Sequence, residues 1–234
     1  VCFIDSDDCI SQNHLLNLVN ALDATKLNVG FAEFESTYQR TGRMGTPDKC
    51  GNYEVIERNN LVVDYMKRKL KIHACALLMR YDFLIANNLL FNPRLKYAED
   101  YEFMWRLFPA TEKVVHVKDC TYKYLQRENS IMRTQSIDKV VLAAQIFDDS
   151  FDKTIKEHPE LGKIVSLAPD RVCFAYAHAF AQQSDFSSYK ELLKKLDYRD
   201  RFKKLIVFPD IKVKILVFVT LLSKRLSFCI IKLH

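Results

Sequence analysis

Residues 1–8 read Val1-Cys2-Phe3-Ile4-Asp5-Ser6-Asp7-Asp8, an apolar run that ends abruptly in acids. This pattern predicts a buried β-strand that delivers its carboxyl end to a site. Three carboxylates within four residues repel one another unless a cation sits among them. Hard oxygen ligands of this kind suit Mg²⁺ or Mn²⁺, held by one or two carboxylates together with a substrate diphosphate. A solvated acidic turn leading into a helix is the plainer reading of the same residues, because helix starts also favour Asp.

Working outward, Ser11 can cap a helix whose apolar positions Leu15, Leu18, Val19 and Leu22 have helical spacing. Asn28 to Glu35 alternates like a strand, and the Gly-bearing stretch from Thr37 to Asn52 reads as a loop. A helix is expected over Asn60 to Lys69, a strand or buried segment over His73 to Met79, and a short helix over Tyr81 to Asn88. A further helix opens at Glu99-Asp100 and runs to about Phe108, before strands at Val114 to Val117 and Thr121 to Leu125. This alternation of strand and helix predicts the α/β class. After about Gln135 only helical periods remain: Ile137 to Lys156, Ala168 to Gln183, Tyr189 to Leu196 and Ile211 to Leu233. Two parts are therefore expected, residues 1–135 as the α/β part and residues 136–234 as a helical extension.

Two more constellations carry chemistry. In Tyr97-Ala98-Glu99-Asp100-Tyr101-Glu102-Phe103, adjacent acids at a helix start are stabilised by the helix dipole, which suffices to explain them. A carboxylate there can also act as a general base toward a sugar hydroxyl within hydrogen-bond reach. In the segment from Tyr122 to Met132, Arg127 can clamp a phosphate and Ser130 can cap the next helix. A strand-to-helix turn with an exposed Arg explains it equally.

The net charge of +6 is unevenly spread, with twelve Lys/Arg against four Asp/Glu from Lys190 to His234 and a net −2 over the other 189 residues. A basic, apolar tail calls for an acidic partner surface, most simply an anionic membrane face. Nucleic acid is disfavoured, because the cations are not interleaved with aromatics on a known module. The apolar run Ile215 to Leu222 is eight residues, against about 20 needed to span a bilayer. Flanked or followed by Lys212, Lys214, Lys224, Arg225 and Lys232, it suits a helix lying in an interface, or a terminal helix packed on its own domain. Seven scattered cysteines, none spaced C-x-x-C, argue against a disulfide framework or zinc knuckle and for a reducing, cytosolic setting.

Taken together and in order, these pieces resemble the inverting GT-A-fold glycosyltransferases of family 2. Cys2 to Asp8 is similar to that family's F-L-D-S-D-D strand and D-x-D loop. Ala98-Glu99-Asp100 resembles its G-E-D helix opening, with Ala in place of Gly. Leu78-Met79-Arg80-Tyr81-Asp82-Phe83-Leu84 with Leu89-Leu90-Phe91 echoes the approach to that motif, and Tyr124 to Ile131 its Tyr-x-Arg … Ser-Ile segment. The resemblance implies a partial GT-A (Rossmann-like) domain followed by the helical region. It also implies that two to three β-α units, roughly 60–90 residues, precede Val1.

The resemblance further implies sugar transfer from a nucleotide-diphosphate sugar, UDP-linked by preference, to a hydroxyl on a glycan or lipid-linked acceptor, with inversion. Asp7, supported by Asp5, would ligate Mn²⁺ or Mg²⁺, which neutralises charge on the departing nucleoside diphosphate. Asp5 would alternatively meet the donor ribose, with Asp8 as a supporting group and Arg127 as a phosphate contact. Asp100 would take the proton from the acceptor hydroxyl, oriented by Glu99. The implied location is cytoplasmic, peripheral at the inner face of the plasma membrane through residues 211–234. Two other readings stay open. Haloacid-dehalogenase-like phosphatases also open on an apolar strand and D-x-D, with Asp5 then the nucleophile, although Cys9 stands where they carry Thr or Val. A non-catalytic fragment docking on a membrane or partner is the other. His73, His116 and His178 show no ligand spacing, and Trp105 reads as core.

Overall fold

The computed structural model describes residues 1–38, 51–126 and 136–233. Arg127, Ser130 and Met132 lie outside them. By contacts the chain forms two units, residues 1–92 with 100–130, and residues 93–99 with 131–234. The first is α/β, and the secondary structure described in the second is helical.

In the α/β unit, strands β1 (Cys9–Ile10), β2 (Val29–Thr37), β3 (Tyr53–Glu57), β4 (Leu77–Met79) and β5 (Lys113–Leu125) form one sheet in the order β1-β5-β2-β4. β2 and β5 run parallel, and β4 lies antiparallel on β2. β5 carries two short antiparallel neighbours along its length: β3 opposite residues 113–117 and β1 opposite residues 122–123. The two strands expected at Val114 and Thr121 are thus one. The register shift at Ala32/Glu33 bulges Lys118 and Asp119 out of the ladder and that at Glu33/Phe34 leaves out Thr121, so the polar interruption in the sequence is a bulge and not a turn. β3 has no counterpart in the sequence reading, because its side chains are mostly exposed and give no alternation.

The opening residues also differ from expectation. Val1 exchanges both backbone hydrogen bonds with Met79 of β4, but residues 1–8 form no strand. Phe3 and Ile4 are 37% and 43% exposed. Phe3 rests edge-on against Phe91 and Phe103 at 5.1 and 6.4 Å instead of entering a core layer.

Helices α1 (His14–Thr25), α2 (Arg58–Met66), α3 (Tyr81–Ala86) and α4 (Glu99–Ala110) complete this part. α1 presents Leu18, Ala21 and Leu22 to Ala32, Val115 and Val117. Gly30 of β2 permits the close approach, since a Cβ there would stand 3.3 Å from Leu22 Cδ2. The buried face is rotated from the expected one: His14 and Asn17 are buried, while Leu15 and Val19 are each 42% exposed. Ser11 does not cap the helix with its side chain. It is buried, its N–H donates to the Thr121 carbonyl, and the N-cap is Asn13. Polar tethers decide the rotation: the His14 Nδ1–Thr121 Oγ1 hydrogen bond is 2.7 Å, and Asn17 Nδ2 donates to Asp119 Oδ2 at 3.1 Å.

His14 has a measurable consequence. Burial lowers its pKa from 6.5 to about 4, so the unfolded chain takes up a proton between those values and the fold does not. The stability from keeping His14 neutral is fully present above pH 6.5 and is lost as pH falls through about 4. Urea unfolding at pH 7 and pH 4 should differ by up to about 3 kcal/mol from this group, at about 1.4 kcal/mol per pH unit. His14→Gln should flatten that part of the slope.

The second unit holds α5 (Ile137–Glu157), α6 (Gly162–Val165), α7 (Ala168–Gln183), α8 (Phe186–Lys195), α9 (Tyr198–Lys204), α10 (Ile211–Leu222) and α11 (Lys224–Leu233). Local capping sets several starts: Ser136 Oγ accepts from Lys139 N–H, Asp185 Oδ1 from Ser188 N–H, and Asp210 Oδ1 from Lys212 and Val213 N–H. The tail expected as one segment from Ile211 to Leu233 is two helices, broken where Ser223 turns extended (φ −148°, ψ 106°). Between α5, α7 and α9, the Arg201 guanidinium forks onto both oxygens of Asp148 and approaches buried Asp170 at 3.6 Å, which Lys204 also meets at 3.5 Å. Among the described residues no helix is long and apolar enough to cross a membrane.

Candidate active site

The carboxyl ends of the parallel pair β2 and β5 carry Phe34, Tyr122 and Tyr124, the end of an open α/β sheet where ligands are generally met. Above them the acidic loop closes a turn through the Asp8 N–H to Asp5 carbonyl bond, 3.1 Å. Asp8 anchors that loop to the sheet. One of its oxygens accepts from the Tyr122 hydroxyl and the other from the Leu125 N–H at 2.8 Å. Tyr122 is fully buried against Cys75 and Ala76. Burial first, and then the hydrogen bond to Asp8, hold its hydroxyl protonated well above the ordinary range. Burial likewise pushes the Cys75 thiol up to about 11.

His73 stands beside this anchor. Its Nδ1 accepts from the Cys75 N–H at 3.3 Å, and its ring lies 5.4 Å from Tyr122 and 4.7 Å from Tyr124. Burial lowers its proton affinity, and the charges of Asp100, Asp8 and Asp5 oppose that effect. Tyr124 is raised by burial and further by Asp8, Asp5, Asp100 and Asp7. The acids of the first loop and Asp100, more than ninety positions apart, thus act on the same two rings. Among the described residues, no group of three or more His, Cys, Asp or Glu stands in metal-holding geometry.

Asp100 is half-buried in the first turn of α4, where its Oδ1 accepts from the Tyr101 N–H at 2.7 Å. With His73, Phe34, Tyr65 and Tyr101 it lines a cavity of about 300 Å³, and Arg68 and Lys71 stand on the same lining. A larger recess of about 530 Å³ is lined by none of Asp5, Asp7, Asp8 and Asp100. It lies among Glu57, Arg58, Glu112 and Lys113, at the amino end of β5. α4 is set in place by Tyr65 of α2, whose ring meets Tyr101, Trp105 and Phe108 at 5.1–5.6 Å. Its buried Glu102 takes a two-pronged bond from Arg106, which also donates to the Leu90 carbonyl at 2.6 Å.

Ala98, immediately before α4, has φ +57°, the left-handed region that favours glycine. The Gly of the G-E-D pattern therefore has a backbone reason at this position. Ala98→Gly should relieve about 1 kcal/mol of Cβ strain and raise the melting temperature by about 2 °C in a calorimetric scan.

Glu99 is exposed as the first residue of α4, and Arg127 lies outside the described residues. Spacing gave no reason to single out His73. The placing of its ring depends on the register of β4 and β5, which a lone His between Ile72 and Ala74 does not announce. Tyr122 and Tyr124 were visible as an aromatic pair in the sequence, but their bearing on Asp8 was not.

The sequence matches no protein-family model and no curated protein. Solved structures do match. Residues 1–349 of Staphylococcus aureus TarS in complex with UDP-GlcNAc align over 99% of this chain and 66% of that one, at TM-score 0.64 and 14% identity. The same protein without ligand gives TM-score 0.64 at 15% identity, and in complex with UDP 0.61 at 13%. The chain spans about two thirds of the length of these neighbours. The fold is the one these structures share, a partial GT-A-like α/β unit with helices following it.

Proposed function

We propose that this chain is part of a glycosyltransferase that moves a sugar from a nucleotide-diphosphate donor to a hydroxyl acceptor with inversion. The observation that carries the proposal is the anchoring of the acidic loop through Asp8 by Tyr122 and Leu125 at the carboxyl end of β5, beside the His73 ring that lines one cavity with Asp100. The TarS neighbours bound to UDP-GlcNAc and UDP favour a UDP-sugar as donor.

The donor set fits a hard divalent cation. Asp5 is exposed and Asp7 half-exposed on a short turn, whereas both oxygens of Asp8 are occupied by Tyr122 and Leu125. Mg²⁺ or Mn²⁺ is commonly held by one or two carboxylates plus substrate phosphates, so no three-residue cage is needed. Asp7 and Asp5 would hold the ion, which when bound supplies positive charge to the departing diphosphate. Asp8 fixes the loop from behind. Asp100 faces the cavity and accepts the acceptor's hydroxyl proton as that oxygen attacks the anomeric carbon. The new glycosidic bond forms as the bond to the diphosphate breaks, in one displacement.

The test is UDP binding by the full-length gene product, followed by calorimetry with and without Mn²⁺. Mn²⁺ should tighten binding roughly tenfold or more, by analogy with the loss on disturbing a metal's carboxylate surroundings. Asp7→Asn should abolish that gain while leaving metal-free binding unchanged. An unchanged Mn²⁺ effect in Asp7→Asn removes the metal assignment, and failure to bind any nucleotide sugar removes the transferase.

A further inference from the structure

The outward face of α10 is apolar. Ile211, Ile215, Phe218 and Leu222 recur at steps of four, three and four residues, and at about 100° per residue they fall within roughly 60° of one another. All four are between 57% and 72% exposed. The opposite face, Val213, Val217 and Thr220, is buried, with Thr220 Oγ1 and Ser227 Oγ of α11 2.7 Å apart. The inner side of α10 is therefore occupied, and a second apolar side faces out. Lys212 and Lys214 flank the outer stripe, at about +100° and −60° from Ile211 by the same helical count. On α11, Arg225 and Leu226 are exposed as well. Residues 211–233 hold five Lys/Arg and no Asp or Glu.

We propose that α10 and α11 dock this protein on an anionic lipid surface, with Ile211, Ile215, Phe218 and Leu222 among the acyl chains and Lys212, Lys214 and Arg225 at the phosphates. An apolar stripe edged by cations is the pattern of a helix lying in the plane of a membrane interface, and long Lys stems reach headgroups from beside such a stripe. A second copy of the chain fits poorly. A two-fold contact would set these cations against themselves, and one helix face falls short of the roughly 800 Å² per partner of a standard interface. The proposal does not depend on the transferase reading.

Flotation with phosphatidylcholine vesicles, with and without phosphatidylglycerol, tests it on the full-length gene product. Binding should require phosphatidylglycerol and fall with added salt. Each cation removed should weaken it about fivefold, so Lys212→Gln/Lys214→Gln costs about 25-fold. Ile215→Ser/Phe218→Ser should lose more than tenfold through lost apolar burial. Lys212, Ile215 and Phe218 are exposed and Lys214 is half-exposed, and unchanged circular dichroism and melting will separate docking from folding. Phe218→Trp adds a direct readout, in which its emission should shift to the blue and be quenched by brominated lipid. Binding that ignores charge, no binding of the wild type, or a dimer in sedimentation that Ile215→Ser/Phe218→Ser disperses, would each overturn the proposal.

Discussion

Asp100→Asn should cut sugar transfer about a thousandfold, within the range for loss of a positioned general base, while donor affinity stays within about twofold. Asp100 sits in the first turn of α4 and lines the cavity with His73 and Phe34. Asn keeps the shape and can still accept from the Tyr101 N–H, so α4 should start where it does now. What disappears is the ability to take a proton. Single-turnover rates with a panel of UDP-sugars, beside UDP titration by calorimetry, separate the two effects. Near-normal turnover in Asp100→Asn ends its assignment as base. A parallel loss of donor binding assigns it to the donor instead.

Arg201→Met should destabilise the helical unit by about 3 kcal/mol, the cost of removing one partner from a buried ionic cluster. Arg201 holds both oxygens of Asp148 and stands 3.6 Å from Asp170, whose side chain is only 6% exposed. Burial raises the Asp170 pKa, with Lys204 and Arg201 opposing the rise. Without Arg201, Asp170 would keep Lys204 at 3.5 Å. The melting temperature should fall by about 6–12 °C. Adding Asp148→Asn/Asp170→Asn should return most of that loss, since the uncompensated charges go with the substitution. A drop under about 1 kcal/mol would rank the cluster with ordinary surface pairs.

The sequence carried the α/β class, most helix positions and the acids worth watching, because each is a local signal. Glu99-Asp100 opens α4 where the paired acids say it should, and the long amphipathic run of α5 is unmistakable. What escaped is non-local. β3 exists because β5 offers an edge beside residues 113–117, and the five residues of β3 carry no alternation of their own. Leu15 and Val19 look like core until His14 and Asn17 find Thr121 and Asp119 across more than a hundred residues, which rotates α1. The anchoring of Asp8 by Tyr122 spans 114 positions and could not be read from either end. The bulge at Lys118–Asp119 imitated a chain reversal for the same reason: polar residues between apolar ones mark a break in the ladder without saying which way the chain goes next.

The two halves of β5 live under different constraints. Its first half is clasped on both sides, by β2 and the full length of β3, and carries the fully buried Val114, Val115 and Val117. Beyond the bulge the outer neighbour shrinks to the two residues of β1, and there Tyr122 and Leu125 grip the acidic loop. One strand is thus welded at its root and sprung at its tip. Loosening that loop then requires letting go of a few bonds at the tip, while the root stays closed, so opening there is separated from melting of the sheet.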